Sequence, residues 1–345
     1  MLTPFGYHHA ACVHAVPDGA IVHNTDTHLV VEHPSFRTPR RIRRCGIPLS
    51  GRTVPRTPVE TRSSGFDDDD SGVNGDGWQV GVVVAGCTPI PHSLLFRLPQ
   101  AYTEQKVAGK ITRMTARWPV PPEPAEEAQT LFTFPGLQNI NWVPPNPHPG
   151  KPFDIIQPVL QYGSSSAGAF DAWSIASWYV TLGSDVVFSP LKKIAAGDQL
   201  FGNMTRVRRG IPASVRRVLD TCCGRGLRLF FVWCVVWCGG HSQTGGDSWF
   251  INTVDETSGI TSGFTVTRSI LTSQPWAYVA LEVYDVETCA QFPAAGTKMP
   301  YTQLELEVGG VPQQFDWTIG TAGQKPPTCG ASIDIKSPTD VVITW

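Results

Sequence analysis

Trp276-Ala-Tyr-Val-Ala-Leu-Glu-Val-Tyr284 is the stretch on which the fold turns. Val279, Leu281 and Val283 alternate in it with Tyr278, Ala280, Glu282 and Tyr284. A period of two describes a strand with one face in a core and a chemically different face behind it. The aliphatic side is the natural core, so Glu282 belongs to a Tyr-rich second face. Ile155-Ile-Gln-Pro-Val-Leu-Gln-Tyr-Gly163 reads the same way: Gln157, Val159 and Gln161 alternate with Ile156, Leu160 and Tyr162, and Pro158 falls on the latter side. Gln161 and Glu282 thus interrupt two apolar, strand-like runs. Each alone reads as an outer-face residue of an amphipathic strand; together they are candidates for one site.

The neighbouring runs agree. Lys110-Ile-Thr-Arg-Met-Thr-Ala-Arg-Trp118, Ser184-Asp-Val-Val-Phe188, Gly263-Phe-Thr-Val-Thr-Arg268 and Thr302-Gln-Leu-Glu-Leu-Glu-Val308 are rich in Val, Thr and aromatics, and Gly, Pro, Asn and Ser separate them. The 345 residues include 33 Gly and 30 Pro with only 16% charged residues, a mix that suits short strands and many turns. Residues 105–204 and 244–345 therefore predict an all-β domain, two antiparallel sheets packed face to face. The net charge of −2 gives no electrostatic case for nucleic acid or a membrane surface. The longest apolar run, Leu229 to Cys238, is too short for the roughly 18 residues of a spanning helix.

Two segments look foreign to this domain. Residues 1–75 hold eight Arg, no Lys, six of the nine His and the acidic run Asp67–Asp70, without sustained periodicity, and predict a disordered leader. Their first residues lack the basic and apolar regions of a signal peptide. The cluster Arg40-Arg-Ile-Arg-Arg44 is too short to argue for nucleic acid. The β-domain is then 76–345, interrupted by 206–243, which carry seven Arg, one acid and four of the nine Cys. That insertion reads as a retained intron or frame artefact, because Gly202-Asn-Met-Thr205 and Asp247-Ser-Trp-Phe-Ile251 read as consecutive strands. Cys222, Cys223, Cys234 and Cys238 lack the paired spacing of a zinc site, so no metal is expected. Setting residues 1–100 and the insertion aside leaves Cys289 and Cys329, a candidate disulfide that implies an oxidising compartment. Asn203-Met-Thr205 is a glycosylation acceptor sequence if the chain is exported.

No GxSxG, HExxH, P-loop or dinucleotide fingerprint is present. The β-like blocks contain one His, His148, so hydrolytic chemistry there has to run on carboxyls and amides. Trp173, Trp178, Tyr179, Trp249 and Trp276 could line a sugar- or peptide-binding groove or fill a core.

At this point a family comes into view. The order of segments resembles the glutamic peptidases, or eqolisins, over residues 110–204 and 244–310. Ala116-Arg-Trp-Pro-Val-Pro121, Phe134-Pro-Gly-Leu-Gln138, Val159-Leu-Gln-Tyr-Gly163, Phe170-Asp-Ala-Trp-Ser-Ile-Ala-Ser-Trp-Tyr179, Ile194-Ala-Ala-Gly-Asp198 and Leu281-Glu-Val-Tyr-Asp-Val-Glu287 carry it. The resemblance implies a concanavalin A-like jelly-roll sandwich of two curved antiparallel sheets. It implies an extracellular, acid-active endopeptidase in which the Glu282 carboxylate is general base and then general acid. Gln161 would donate a hydrogen bond to the oxyanion. Gln138, Trp173, Ser177, Trp178 and Tyr284 would line the substrate cleft, with Gln138 and Ser177 where the family carries Asp and Glu. No cofactor is implied. The partner would be a polypeptide substrate, and a monomer is expected. The alternative, from a different class, is a non-catalytic carbohydrate-binding or cell-surface sandwich that presents the same face to a glycan. A glycoside hydrolase would need a second carboxyl near Glu282, and Asp285 is on the other face by parity.

Overall fold

The computed structural model describes residues 1–4, 6–25, 27–45, 100–104, 110–139, 154–181, 185–207, 247–268, 275–320 and 329–345. Twenty-two strands and two short 3-10 turns are described, with no α-helix among these residues. In chain order they are β1 (Leu2–Thr3), β2 (Gly6–Tyr7), β3 (Val13–Ala15), β4 (Ile21–Asn24), β5 (His28–Glu32), β6 (Arg40–Arg43) and β7 (Gln100–Glu104). Then come β8 (Ile111–Pro119), β9 (Thr130–Gln138), β10 (Asp154–Ser165), β11 (Gly168–Thr181), β12 (Val186–Phe188), β13 (Lys192–Lys193) and β14 (Gln199–Val207). The remainder are β15 (Asp247–Asp255), β16 (Thr261–Arg268), β17 (Trp276–Tyr284), β18 (Lys298–Val308), β19 (Val311–Gln313), β20 (Thr318–Gly320), β21 (Ser332–Ser337) and β22 (Asp340–Thr344).

They form an all-β sandwich. The front sheet has nine strands in the order β20-β7-β17-β9-β10-β11-β12-β3, with β13 also on β11. The back sheet has eleven, β21-β22-β18-β8-β14-β15-β16-β4-β5-β6, with β19 also on β18. Val279, Leu281 and Val283 of β17, and Ile156, Leu160 and Tyr162 of β10, enter the main core with Trp118, Met204, Trp249, Ile251 and Tyr301 of the back sheet. The two sheets touch closely at Gly202, where an added Cβ would lie 2.8 Å from Pro158 Cγ and 2.8 Å from the Trp118 ring.

The N-terminal 45 residues correct the expected disordered leader. β3 pairs in parallel with β12 at the edge of the front sheet, and β4 pairs in parallel with β16 of the back sheet, with β5 and β6 continuing that sheet beyond it. Among the described residues these are the two parallel pairings, and the rest are antiparallel. Between them Val16 and Ala20 enter the main core, so the chain crosses from one sheet to the other and closes that side of the sandwich. Asp18 secures the crossing, accepting from Gly263 N–H at 3.1 Å and pairing with Lys192. Arg- and His-rich composition hid this segment, because its order comes from partners more than a hundred residues away. A disulfide joins Cys12 to Cys45, and a second joins Cys289 to Cys329.

β14 and β15 are adjacent antiparallel strands that pair as far as Val207 with Ser248. The Arg/Cys-rich segment is therefore spliced into a hairpin, and its first two residues, Arg206 and Val207, complete β14. The rest of it, like His148 and residues 46–99, lies outside the described residues.

Candidate active site

The outer face of the front sheet carries the site. β9 is its central strand: Phe132 pairs with Gln161 of β10 on one side and with Glu282 of β17 on the other. Directly paired residues project to the same face. Gln161, Phe132 and Glu282 therefore form one row, with the amide and the carboxylate two strand spacings apart, about 9.5 Å at the backbone. Ser174, opposite Gln161, extends the row, and its hydroxyl donates to the Gln161 carbonyl at 3.3 Å.

The face is apolar and closed. Phe132, Phe134, Ile155, Val159, Ala176, Trp178, Phe188, Ala280 and Tyr284 form a second hydrophobic cluster, separate from the inter-sheet core. Leu2 of β1 belongs to that cluster, and its carbonyl accepts from Ser166 N–H at 2.7 Å at the tip of the β10–β11 hairpin. Gln161 is 0% exposed and Glu282 5%. The Tyr284 hydroxyl donates to Glu282 Oε2 at 3.3 Å, and the Tyr284 ring meets Phe132 edge-on at 5.8 Å.

Gln161 is held by its own hairpin. Its Nε2 donates to Gly163 O at 2.7 Å and has a longer contact to Gly168 O at 3.4 Å; its Oε1 accepts from Ser165 Oγ at 2.8 Å. Gly163 lets the strand bulge here before it runs on to Ser165. Its φ is +82°, and a Cβ would stand 1.9 Å from the Gln129 carbonyl. The register of the β10–β11 pair shifts at the same point.

The other expected site residues divide by parity. Trp178 and Tyr284 lie on the site face. Gln138 also lies there, paired with Trp276 and donating to the Tyr278 hydroxyl at 2.6 Å. It sits six residues from Phe132, about 20 Å along β9, well away from the Gln161 row. Trp173 and Ser177 are corrections, for both point into the sandwich. Trp173 packs edge-on against Tyr162 in the main core. Ser177 donates across to Ser262 O of β16 at 2.7 Å and meets Thr253 Oγ1 of β15 at 3.1 Å. Asn203 is half-buried on β14 and accepts from Thr205 Oγ1 at 2.7 Å.

Sequence reading missed a polar clasp beside this face. Asp185 is fully buried and binds His14 Nε2 at 3.0 Å, Arg44 Nε at 3.1 Å and Cys45 N–H at 3.1 Å. Burial alone would raise its pKa; the bonds from His14, Cys45 and Arg44 outweigh that and hold the carboxyl below the usual range. The partners are 140 or more residues distant in sequence, so no local motif signals the clasp.

No protein-family model matches the chain, and no curated protein does. Among solved structures it is similar, distantly, to scytalido-glutamic peptidase bound to a peptide-based transition-state analogue: TM-score 0.42, 10% identity, 73% of this chain and 99% of that one. It is similar to the same degree to SCP-B, a member of the eqolisin family of peptidases, in complex with the tripeptide Ala-Ile-His: TM-score 0.40, 11% identity, with the same coverage.

Proposed function

We propose that the chain is an extracellular glutamic-type endopeptidase acting through Glu282 and Gln161. The observation that carries this reading is the shared row: two residues 121 positions apart flank one phenylalanine on one face of one sheet. The Glu282 carboxylate takes a proton from water as the water oxygen attacks the scissile carbonyl, and Phe132 forms the floor beneath. Negative charge gathers on the carbonyl oxygen. Gln161 Nε2 has one short bond, to Gly163 O, and its second N–H has only the 3.4 Å contact, so that hydrogen is the one offered to the oxyanion. The short bond and Ser165 Oγ fix the amide in place beforehand, and such a fixed donor is worth roughly 3–4 kcal/mol in the transition state. Glu282 then delivers the proton to the leaving nitrogen as the C–N bond breaks.

The two disulfides are consistent with an oxidising, extracellular setting, in which Asn203 would be a carbohydrate acceptor. A non-catalytic reading has its own support in the closed face and the engaged Gln161 amide. Digestion of unfolded casein at acid pH separates the two readings. Gln161→Met is expected to lower kcat about 100-fold or more. Ser165→Ala, which loosens the turn but keeps the amide, is expected to cost much less. Equal losses in the two variants would assign Gln161 to the turn alone.

A further inference from the structure

A second polar row crosses the same face. Trp178 pairs with Phe188 and with Gln157. The register that sets Ile156 against Leu137 puts Gln157 against Gly136, and Tyr278 lies beyond Gly136. Gln157 is 0% exposed, and neither its Nε2 nor its Oε1 has a hydrogen-bond partner. The indole Nε1 of Trp178, its cross-strand neighbour, is also buried and unpaired.

Each of the fold's other buried glutamines has at least one bonded polar atom, although the Gln129 Oε1 is unpaired. Gln129 donates to Glu126 O and Gln291 O; Gln291 accepts from Glu287 and Thr288 N–H groups; Gln138 donates to Tyr278; Gln161 is braced by its hairpin. Among the described residues, Gln157 is the one side chain with both polar atoms buried and unpaired. A buried amide without partners is expensive, and an apolar residue of the same shape would relieve that cost. Keeping an amide there makes physical sense where a ligand completes it.

We propose that Gln157 and Trp178 form a main-chain subsite for an extended peptide. In an extended chain the N–H and C=O of one residue point the same way, which is how antiparallel strands exchange paired bonds. A primary carboxamide offers the complementary acceptor and donor side by side. Gln157 Oε1 takes the peptide N–H, Nε2 gives to the carbonyl of the same residue, and Trp178 Nε1–H serves a neighbouring carbonyl. Gly136 leaves the position beside Gln157 without a side chain. The face already seats one extended segment, since Leu2 of β1 lies in the same cluster. Gln157 is four residues from Gln161 on β10, about 13 Å, the reach of about four extended peptide residues. A peptide running along the strands would therefore meet Gln157 about four residues from the bond placed at Glu282, an arrangement that rests on the peptidase reading for its register.

The test measures binding first, so that cleavage does not decide it. In the full chain carrying Glu282→Gln, affinities are measured for a tetrapeptide and an octapeptide of one repeating sequence. The octapeptide is expected to bind about tenfold or more tighter. Adding Gln157→Met should erase that gain and leave tetrapeptide affinity unchanged, with a thermal midpoint equal or higher. A length gain that survives Gln157→Met, or no binding of either peptide, would overturn the subsite. So would a raised thermal midpoint with no change in length dependence, which marks an amide bonded only to buried water. Wild-type cleavage without any length gain would sink the subsite and spare the peptidase; a length gain without wild-type cleavage would do the reverse.

Discussion

Gly163 shows at single-residue scale how backbone geometry and candidate chemistry are joined. With φ at +82° and the Gln129 carbonyl 1.9 Å from any added Cβ, the position admits no side chain without movement. Gly163→Ala is expected to cost about 2 kcal/mol or more, read in chemical denaturation, and to release the Gln161 amide from Gly163 O. Gly202→Ala is a second case, at the contact between sheets: its Cβ would press on Pro158 and Trp118, for a loss of about 1–3 kcal/mol. An unchanged midpoint in either variant would contradict the packing described. Parity made Glu282 and Gln161 legible in the sequence, because alternation alone assigns a face. The same rule excludes Trp173 and Ser177 from that face: each is an odd number of positions from Trp178 on one strand, so neither can share its side. The bonds of Gln161 to its own hairpin, and the missing bonds of Gln157, carry no sequence signal, since both depend on where neighbouring strands end.

At the scale of elements, the long strands were readable and the short ones were not. β10, β11, β17 and β18 each carry enough alternation to mark a face, and β14 and β15 were recognisable as neighbours across the foreign segment. β1 to β6 are two to five residues long, too short for a period to declare itself; β1 and β2 pair with each other, and β3 to β6 gain order by adding to sheets built from the rest of the chain. The β1–β2 hairpin has a pH dependence that can be measured. Burial, and then the nearby N-terminal ammonium, lower His8 from 6.5 to about 4. A histidine with a depressed folded pKa contributes stability above its unfolded value, and that contribution is lost as pH falls from 6.5 towards 4. The His8 ring is expected to titrate near 4 by NMR, with exchange protection of Leu2 and Tyr7 decreasing over that window. A midpoint near 6.5 would show that the hairpin does not bury this ring.

Across the whole molecule the N-terminal segment acts as a strap: Leu2 rests on the candidate site face, residues 16–20 cross between the sheets, and Asp185 clasps His14 and Arg44 at the side. The clasp answers to acid differently from the hairpin. Because the folded pKa of Asp185 is depressed, its contribution is present above the ordinary carboxylate range and is lost only as pH falls through the depressed value. Asp185→Asn is expected to lower stability by about 3 kcal/mol at neutral pH, with the difference from wild type shrinking below about pH 4. Mild acid is therefore expected to weaken the β1–β2 hairpin before it weakens the Asp185 clasp. The most direct test of the central claim is casein digestion by the full chain at about pH 4, wild type beside Glu282→Gln. The account predicts cleavage by wild type and loss of about 1,000-fold or more in the variant, whose amide can accept no proton from water. Undiminished cleavage by the variant, or no cleavage by wild type, would contradict it.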